Sequence, residues 1–148
     1  MLVDDINFNL IALENIIRCH SKIDTSRVCE RALSGRNAID LVEANIHKNN
    51  YERCDFKLML IDCQMPDIDG YEATEAIRDM LYKYQIPQPI IIAVTGHSEG
   101  EFVEKAINTG MNSLFSKPVK TDCIDWIIDL VGFPRDLEGV EEIDPVIE

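Results

Sequence analysis

The sequence predicts an α/β domain, a parallel sheet with helices on both faces. Three observations carry that expectation. Apolar runs of strand length alternate with helical stripes five times along the 148 residues, the pattern of repeated strand–helix units. Two of the runs, Leu58–Asp62 and Ile90–Val94, are apolar with almost no alternation, as in strands buried on both faces. Polar or charged residues close most of the runs, at the edge where open parallel sheets bind their ligands.

Taken in order, Met1-Leu2-Val3 is a short first strand followed by Asp4-Asp5. It is shorter than the usual five or six residues, so the chain is expected to begin inside a larger protein. Phe8 to Ile17 gives a broad helical stripe of Phe8, Leu10, Ile11, Ala12, Leu13, Ile16 and Ile17, with Asn7 the expected cap. Arg27-Val28-Cys29-Glu30 is the expected second strand, at a sheet edge. After Gly35 a second helix is expected over Ala38 to about His47, with Ala38, Leu41, Val42 and Ile46 inward. A long polar connection leads to the central strand, Leu58–Asp62. Pro66, Asp67, Asp69 and Gly70 then force a turn. A third helix runs from Gly70 to about Tyr82, with Ala73, Ala76, Ile77, Met80 and Leu81 inward, before Pro87 and Pro89.

Ile90–Val94 is rich in β-branched residues, as strands are, and ends in Thr95-Gly96. A fourth helix is expected to bury Phe102, Val103, Ala106 and Ile107 and to stop at Gly110. Ser113-Leu114-Phe115 forms the fifth strand, ending in Ser116-Lys117-Pro118. Thr121 or Asp122 should cap the last helix, which carries Ile124, Ile127, Ile128 and Leu130 and closes at Gly132.

Composition narrows the function. The chain is 46% hydrophobic and 28% charged, ordinary for one globular domain. The net charge of −13, with six acids against one base between Arg135 and Glu148, argues against nucleic-acid binding. No apolar run is long enough to cross a membrane, and Asp4-Asp5 stands where a signal peptide would be basic. Cys19, Cys29, Cys54, Cys63 and Cys123 make no C-x-x-C pair, so a reducing, cytoplasmic setting without structural zinc is expected.

In a parallel sheet the strand ends share one edge. Asp4 and Asp5 follow strand one, Asp62 closes strand three, Thr95 follows strand four and Lys117 follows strand five. Singly these are ordinary: an acidic pair caps a helix, a Thr-Gly makes a turn, a Lys before Pro lies on a surface loop. Together they place three carboxylates, a hydroxyl and an ammonium at one edge. Carboxylates so close repel unless a cation intervenes, and an oxygen-rich acidic site suits Mg²⁺. The set fits phosphoryl transfer onto a carboxylate.

Leu2–Asp5 (Leu-Val-Asp-Asp), Ile61–Gly70 (Ile-Asp-Cys-Gln-Met-Pro-Asp-Ile-Asp-Gly), Ala93–Gly96 (Ala-Val-Thr-Gly), Gly110-Met111 and Phe115–Pro118 (Phe-Ser-Lys-Pro) closely resemble the receiver domain of two-component response regulators and hybrid histidine kinases. The resemblance covers residues 1–133 and leaves 134–148 as an acidic C-terminal extension. It implies a flavodoxin-like (βα)5 fold with strand order 2-1-3-4-5. It implies that Asp62 is the phosphoacceptor, fed by the phosphohistidine of a histidine kinase or phosphotransfer domain. By the same likeness, Mg²⁺ is held by Asp4, Asp5, Asp62 and the backbone carbonyl of Gln64. Thr95 and Lys117 contact the phosphoryl group, the Lys117–Pro118 bond is cis, and Gln64 and His97 occupy positions that tune dephosphorylation. The implied partner surface, through which dimers can form, is the fourth helix, fifth strand and last helix.

The sequence departs from the family at Leu114, where an aromatic residue is usual, and in the long Gly35–Leu58 stretch. Nothing basic or helix-turn-helix-like follows the last helix in the sequence, so an output domain is not expected in this stretch, nor is a stand-alone enzyme. The alternative is a receiver-fold binding or structural subunit without phosphorylation. An aspartate-nucleophile phosphohydrolase would want a second Asp at position 64, which is Gln. A dinucleotide enzyme would want glycines after strand one, and no P-loop motif is present.

Overall fold

The computed structural model describes residues 1–133. The acidic extension expected over 134–148 lies outside the described residues. The order of elements is β1 (Leu2–Val3), α1 (Asn7–Ser21), α2 (Thr25–Val28), β2 (Arg31–Ala32), α3 (Gly35–Lys48), β3 (Leu58–Asp62), α4 (Gly70–Lys83), β4 (Ile90–Thr95), α5 (Gly100–Asn108), β5 (Ser113–Ser116) and α6 (Thr121–Val131). All strand pairs are parallel, and the five-stranded sheet has the expected order β2-β1-β3-β4-β5.

Period-two alternation divides the sheet into two cores. Met59, Ile61, Ile91 and Ala93 face one side with Ala38, Val42 and Ile46 of α3, Ile77 and Leu81 of α4 and Ala106 of α5. Leu60, Ile92, Val94 and Phe115 face the other with Leu10 of α1 and Ile124, Ile127 and Ile128 of α6. Both faces of β3 and β4 are therefore dry, which is why their sequences read as continuous apolar runs.

Four expectations are corrected. Residues 25–28 form the short helix α2, because the Asp24 carboxylate caps it through Ser26 N–H at 3.2 Å. Strand β2 comes later, at Arg31–Ala32, where Leu2 and Val3 of β1 pair with it. The cap position of α1 is Ile6, not Asn7, and makes no side-chain cap bond. Its amide instead donates to Asp4 Oδ1 at 2.8 Å. Lys120 holds the cap position of α6, and Thr121 is already helical. Phe8 and Ile107, both expected inward, are 75% and 60% exposed. Each lies on the margin of a helical stripe too broad to be buried whole. Glycine stops at Gly110 and Gly132 are as expected, with φ of 95° and 72°.

Two other glycines shape the loop between β3 and α4. A Cβ on Gly70 would stand 2.2 Å from the carbonyl oxygen of Asp62, and one on Gly35 would stand 2.4 Å from that of Ile68. The loop is thus seated between two backbones that only glycine lets approach. Asp69 and Glu72 complete a capping box at the start of α4, fixing where the loop ends.

Gly70→Ala is expected to destabilise the domain by about 3 kcal/mol, the upper range for overpacking. Gly100→Ala, whose Cβ would meet nothing within 4 Å, should change stability by less than about 0.5 kcal/mol. Urea denaturation midpoints test this; equal midpoints for the two variants would contradict the steric account.

Candidate functional site

The site is built at the carboxyl edge of the sheet from four strand ends and their loops. β1 and β3 are adjacent, with Val3 paired to Ile61, so Asp4 and Asp62 emerge side by side. Both carboxylates are buried, whereas Asp5 is exposed. One carboxylate oxygen from each of Asp4, Asp5 and Asp62 lies within 4.8 Å of the others. Lys117 reaches in from the loop after β5. Its Nζ is 3.0 Å from Asp4 Oδ2 and 3.1 Å from Asp62 Oδ2. The Lys117–Pro118 peptide bond is cis, and Lys117 N–H donates to the carbonyl of Thr95 at 2.8 Å.

Thr95 ends β4, one residue past the Asp62–Val94 pair, and is buried. Its Oγ1 accepts the N–H of His97 at 3.1 Å. The His97 ring lies against Phe102 of α5, with centroids 5.1 Å apart. Gln64 N–H donates to Asp62 Oδ1 at 3.2 Å, which brings the main chain of residue 64 against the carboxylate. The structure thus brings Asp4, Asp5, Asp62 and Lys117 into one cluster, with Thr95 and Gln64 beside it.

Burial is the chief influence on Asp62 and raises its carboxyl pKa. The Gln64 N–H and the Lys117 ammonium pull it back down, and the negative charge of Asp4 adds to the rise. For Lys117 burial disfavours the charge, but hydrogen bonds to Asp4 and Asp62 outweigh it and raise the ammonium pKa. The next residue, Cys63, is buried against Tyr71, and burial pushes its thiol up to about 11. It is therefore a protonated, inert core residue at neutral pH.

Asn9 was not singled out by the sequence reading. From α1, its amide donates to both oxygens of Asp4, at 3.2 and 3.1 Å. The available signal was its place three residues past the helix cap, where a side chain reaches back over the preceding loop. The close approach at Gly70 was also hidden, because Asp-Gly reads first as a turn. Leu114 packs on the α3–α5 side of the sheet. Alternation along β5 turns the neighbouring Phe115 ring to the other side, where it meets Trp126 edge-on at 6.1 Å.

A five-stranded parallel sheet in this order, with an acidic cluster and a lysine at its carboxyl edge, is the architecture of a phosphorelay receiver. The response regulator receiver domain family matches residues 1–129, and the chain belongs to that family. Among its relatives, histidine kinase CKI1 of Arabidopsis thaliana is 34% identical over 122 residues, which is 79% of this chain and 10% of that protein. Hybrid signal transduction histidine kinase B of Dictyostelium discoideum is 31% identical over 139 residues, 88% of this chain and 6% of that protein. The chain thus spans a tenth or less of these curated relatives. The crystal structure of the CKI1 receiver domain with Mg²⁺ and BeF3⁻ matches with a TM-score of 0.69 and 29% identity, covering 86% of this chain and 87% of that one. The receiver domain of Ssk1 of Saccharomyces cerevisiae, crystallised with the phosphotransfer protein Ypd1, is in a structure that matches with a TM-score of 0.71 and 26% identity, covering 88% and 86%. No described helix is long and apolar enough to cross a membrane.

Because burial raises the Asp62 pKa, ionisation of this group weakens folding. Its penalty is absent below the unfolded pKa of about 4, grows as pH rises toward the folded pKa, and is constant above it. Asp62→Asn cannot ionise and is nearly isosteric. In metal-free buffer at pH 7 its Tm is expected to equal or exceed the parent's by a few degrees. A Tm several degrees lower would mean that the ion pair with Lys117 outweighs the cost of burial.

Proposed function

We propose that this chain is the phosphoacceptor of a His–Asp relay, with Asp62 taking the phosphoryl group from a phosphohistidine. The observation that carries this is the buried Asp4–Asp62 pair sharing one ammonium, with Asp5 within reach. A carboxylate oxygen of Asp62 would attack phosphorus as the P–N bond breaks, and the imidazole would leave with the electron pair. Lys117, released from the two acids, would pair with the transferred group. The Thr95 hydroxyl, freed from His97 N–H, would donate to a phosphoryl oxygen.

The acidic donors fit Mg²⁺, a hard cation that takes a few carboxylates and keeps waters and a phosphate oxygen. Asp4, Asp5, Asp62 and the carbonyl of Gln64 would hold it. Bound there, it would neutralise the charge on the carboxylates and on the phosphoryl oxygens. The CKI1 receiver, crystallised with Mg²⁺ and BeF3⁻, supports the assignment.

The reading takes residues 1–133 as the receiver unit. The donor would approach over α1. There a groove of about 370 Å³ lies between α1 and the loop after β5, and Asp4, Asn9, Lys117 and Pro118 line it with Leu13 and Val119. Exposed Ile6, Phe8 and Ile11 border the same end of α1. The Ypd1 complex of a similar receiver supports a phosphotransfer domain as the occupant. Exposed Ile107 on α5 and Trp126 and Leu130 on α6 offer apolar surface for self-association on the helices flanking β5.

Intact mass after incubation with Mg²⁺ and acetyl phosphate should rise by one phosphoryl group in the parent and not in Asp62→Asn. Lys117→Ala should still bind Mg²⁺ but respond less to phosphorylation. No gain in the parent, together with no Mg²⁺ binding, would favour a receiver-fold binding subunit. Phe8→Asp is expected to slow transfer from a phosphohistidine domain at least tenfold, as loss of an interface anchor does, while acetyl phosphate labelling is unchanged. Equal slowing with both donors would remove Phe8 from the docking surface.

A further inference from the structure

Asp4 carries the most hydrogen bonds of the three acids, and their division between its oxygens is informative. Oδ1 accepts from Ile6 N–H at 2.8 Å and from the Asn9 amide at 3.2 Å. Oδ2 accepts from the same amide at 3.1 Å and from Lys117 at 3.0 Å. Lys117 is shared with Asp62, and its ammonium would be repelled by a cation entering between the acids. Ile6 N–H then holds one oxygen, about which the carboxylate plane still turns. Asn9 touches both oxygens and so sets the plane.

The chemistry of the residue suits that task. A neutral amide donates without consuming the negative charge that a cation needs, as Lys or Arg would. An Asp there would have no proton to give. The support is rigid, because Asn9 stands in the first turn of α1 and the next residue, Leu10, is fully buried in the core beneath.

We infer that Asn9 is a positioning residue of the divalent-cation site, holding Asp4 in the orientation in which it binds Mg²⁺. The inference rests on the proposed Mg²⁺ role of the acids. Partners of this kind, which orient a metal ligand without touching the metal, typically alter affinity 10- to 100-fold when removed.

The test is calorimetric titration of Mg²⁺ into parent, Asn9→Ala and Asn9→Gln, with acetyl phosphate labelling rates measured across Mg²⁺ concentrations. Asn9→Ala should raise the Mg²⁺ dissociation constant and half-saturation about tenfold or more. Its rate at saturating Mg²⁺ should stay within about twofold of the parent's, since the reacting groups are untouched. Asn9→Gln retains the donor and should fall nearer the parent than Asn9→Ala does. If circular dichroism shows that Asn9→Ala does not fold, Asn9→Ser, whose hydroxyl is too short to span both oxygens, takes its place. An unchanged Mg²⁺ affinity in the alanine variant, or a lower plateau rate with unchanged half-saturation, overturns the inference. A parent that binds no Mg²⁺ overturns the metal reading itself, and this inference with it.

Discussion

The structure depends on one electrostatic constraint: two buried carboxylates, Asp4 and Asp62, stand side by side at the end of an apolar sheet. Like charges in such a place repel and are poorly solvated. Lys117 answers both at once, with its ammonium about 3 Å from each. That contact ties the loop after β5 to the ends of β1 and β3 across β4. Removing Lys117 would leave two carboxylates uncompensated, whereas removing either acid leaves Lys117 paired with the other. On the proposed function, a cation entering the site would supply part of the compensation that Lys117 gives here.

The rest of the fold supplies rigidity around this trio. β3 and β4 are dry on both faces, and the cores on either side pack against α3, α4 and α5 or against α1 and α6. Gly70 lets the start of α4 press on the backbone of Asp62, and the capping box of Asp69 and Glu72 holds that helix start. On the other flank Asn9 fixes Asp4 from α1. The acids are thus positioned by packed elements on both sides, while Lys117, on a loop and half-buried, is held by its two ion pairs.

Position 114 holds Leu, with no ring to rotate, and the adjacent Phe115 ring points to the opposite face of the sheet against Trp126. The contact that leads away from Thr95 runs through His97, whose N–H engages the Thr95 hydroxyl and whose ring packs on Phe102 of α5.

The parallel sheet and the acids at its edge were legible in the residues themselves, and the strand order came from the resemblance to receiver domains. Continuous apolar runs mark strands buried on both sides, and glycine and proline mark where they turn. The second strand was not legible: Arg31 and Ala32 have little β preference of their own and become a strand because Leu2 and Val3 pair with them. Nor could periodicity decide which margin of a wide stripe stays wet, so Phe8 and Ile107 read as buried. By itself the sequence determined most of the elements and the chemical types gathered at one edge, because burial pattern and turn chemistry are local. Only the tertiary structure decided that Lys117 bridges Asp4 to Asp62, that Asn9 spans both oxygens of Asp4 and that Gly70 must lack a side chain. The first joins positions 113 residues apart, and the other two depend on how a loop folds back on its own strand end; neither kind of distance is encoded by a local preference.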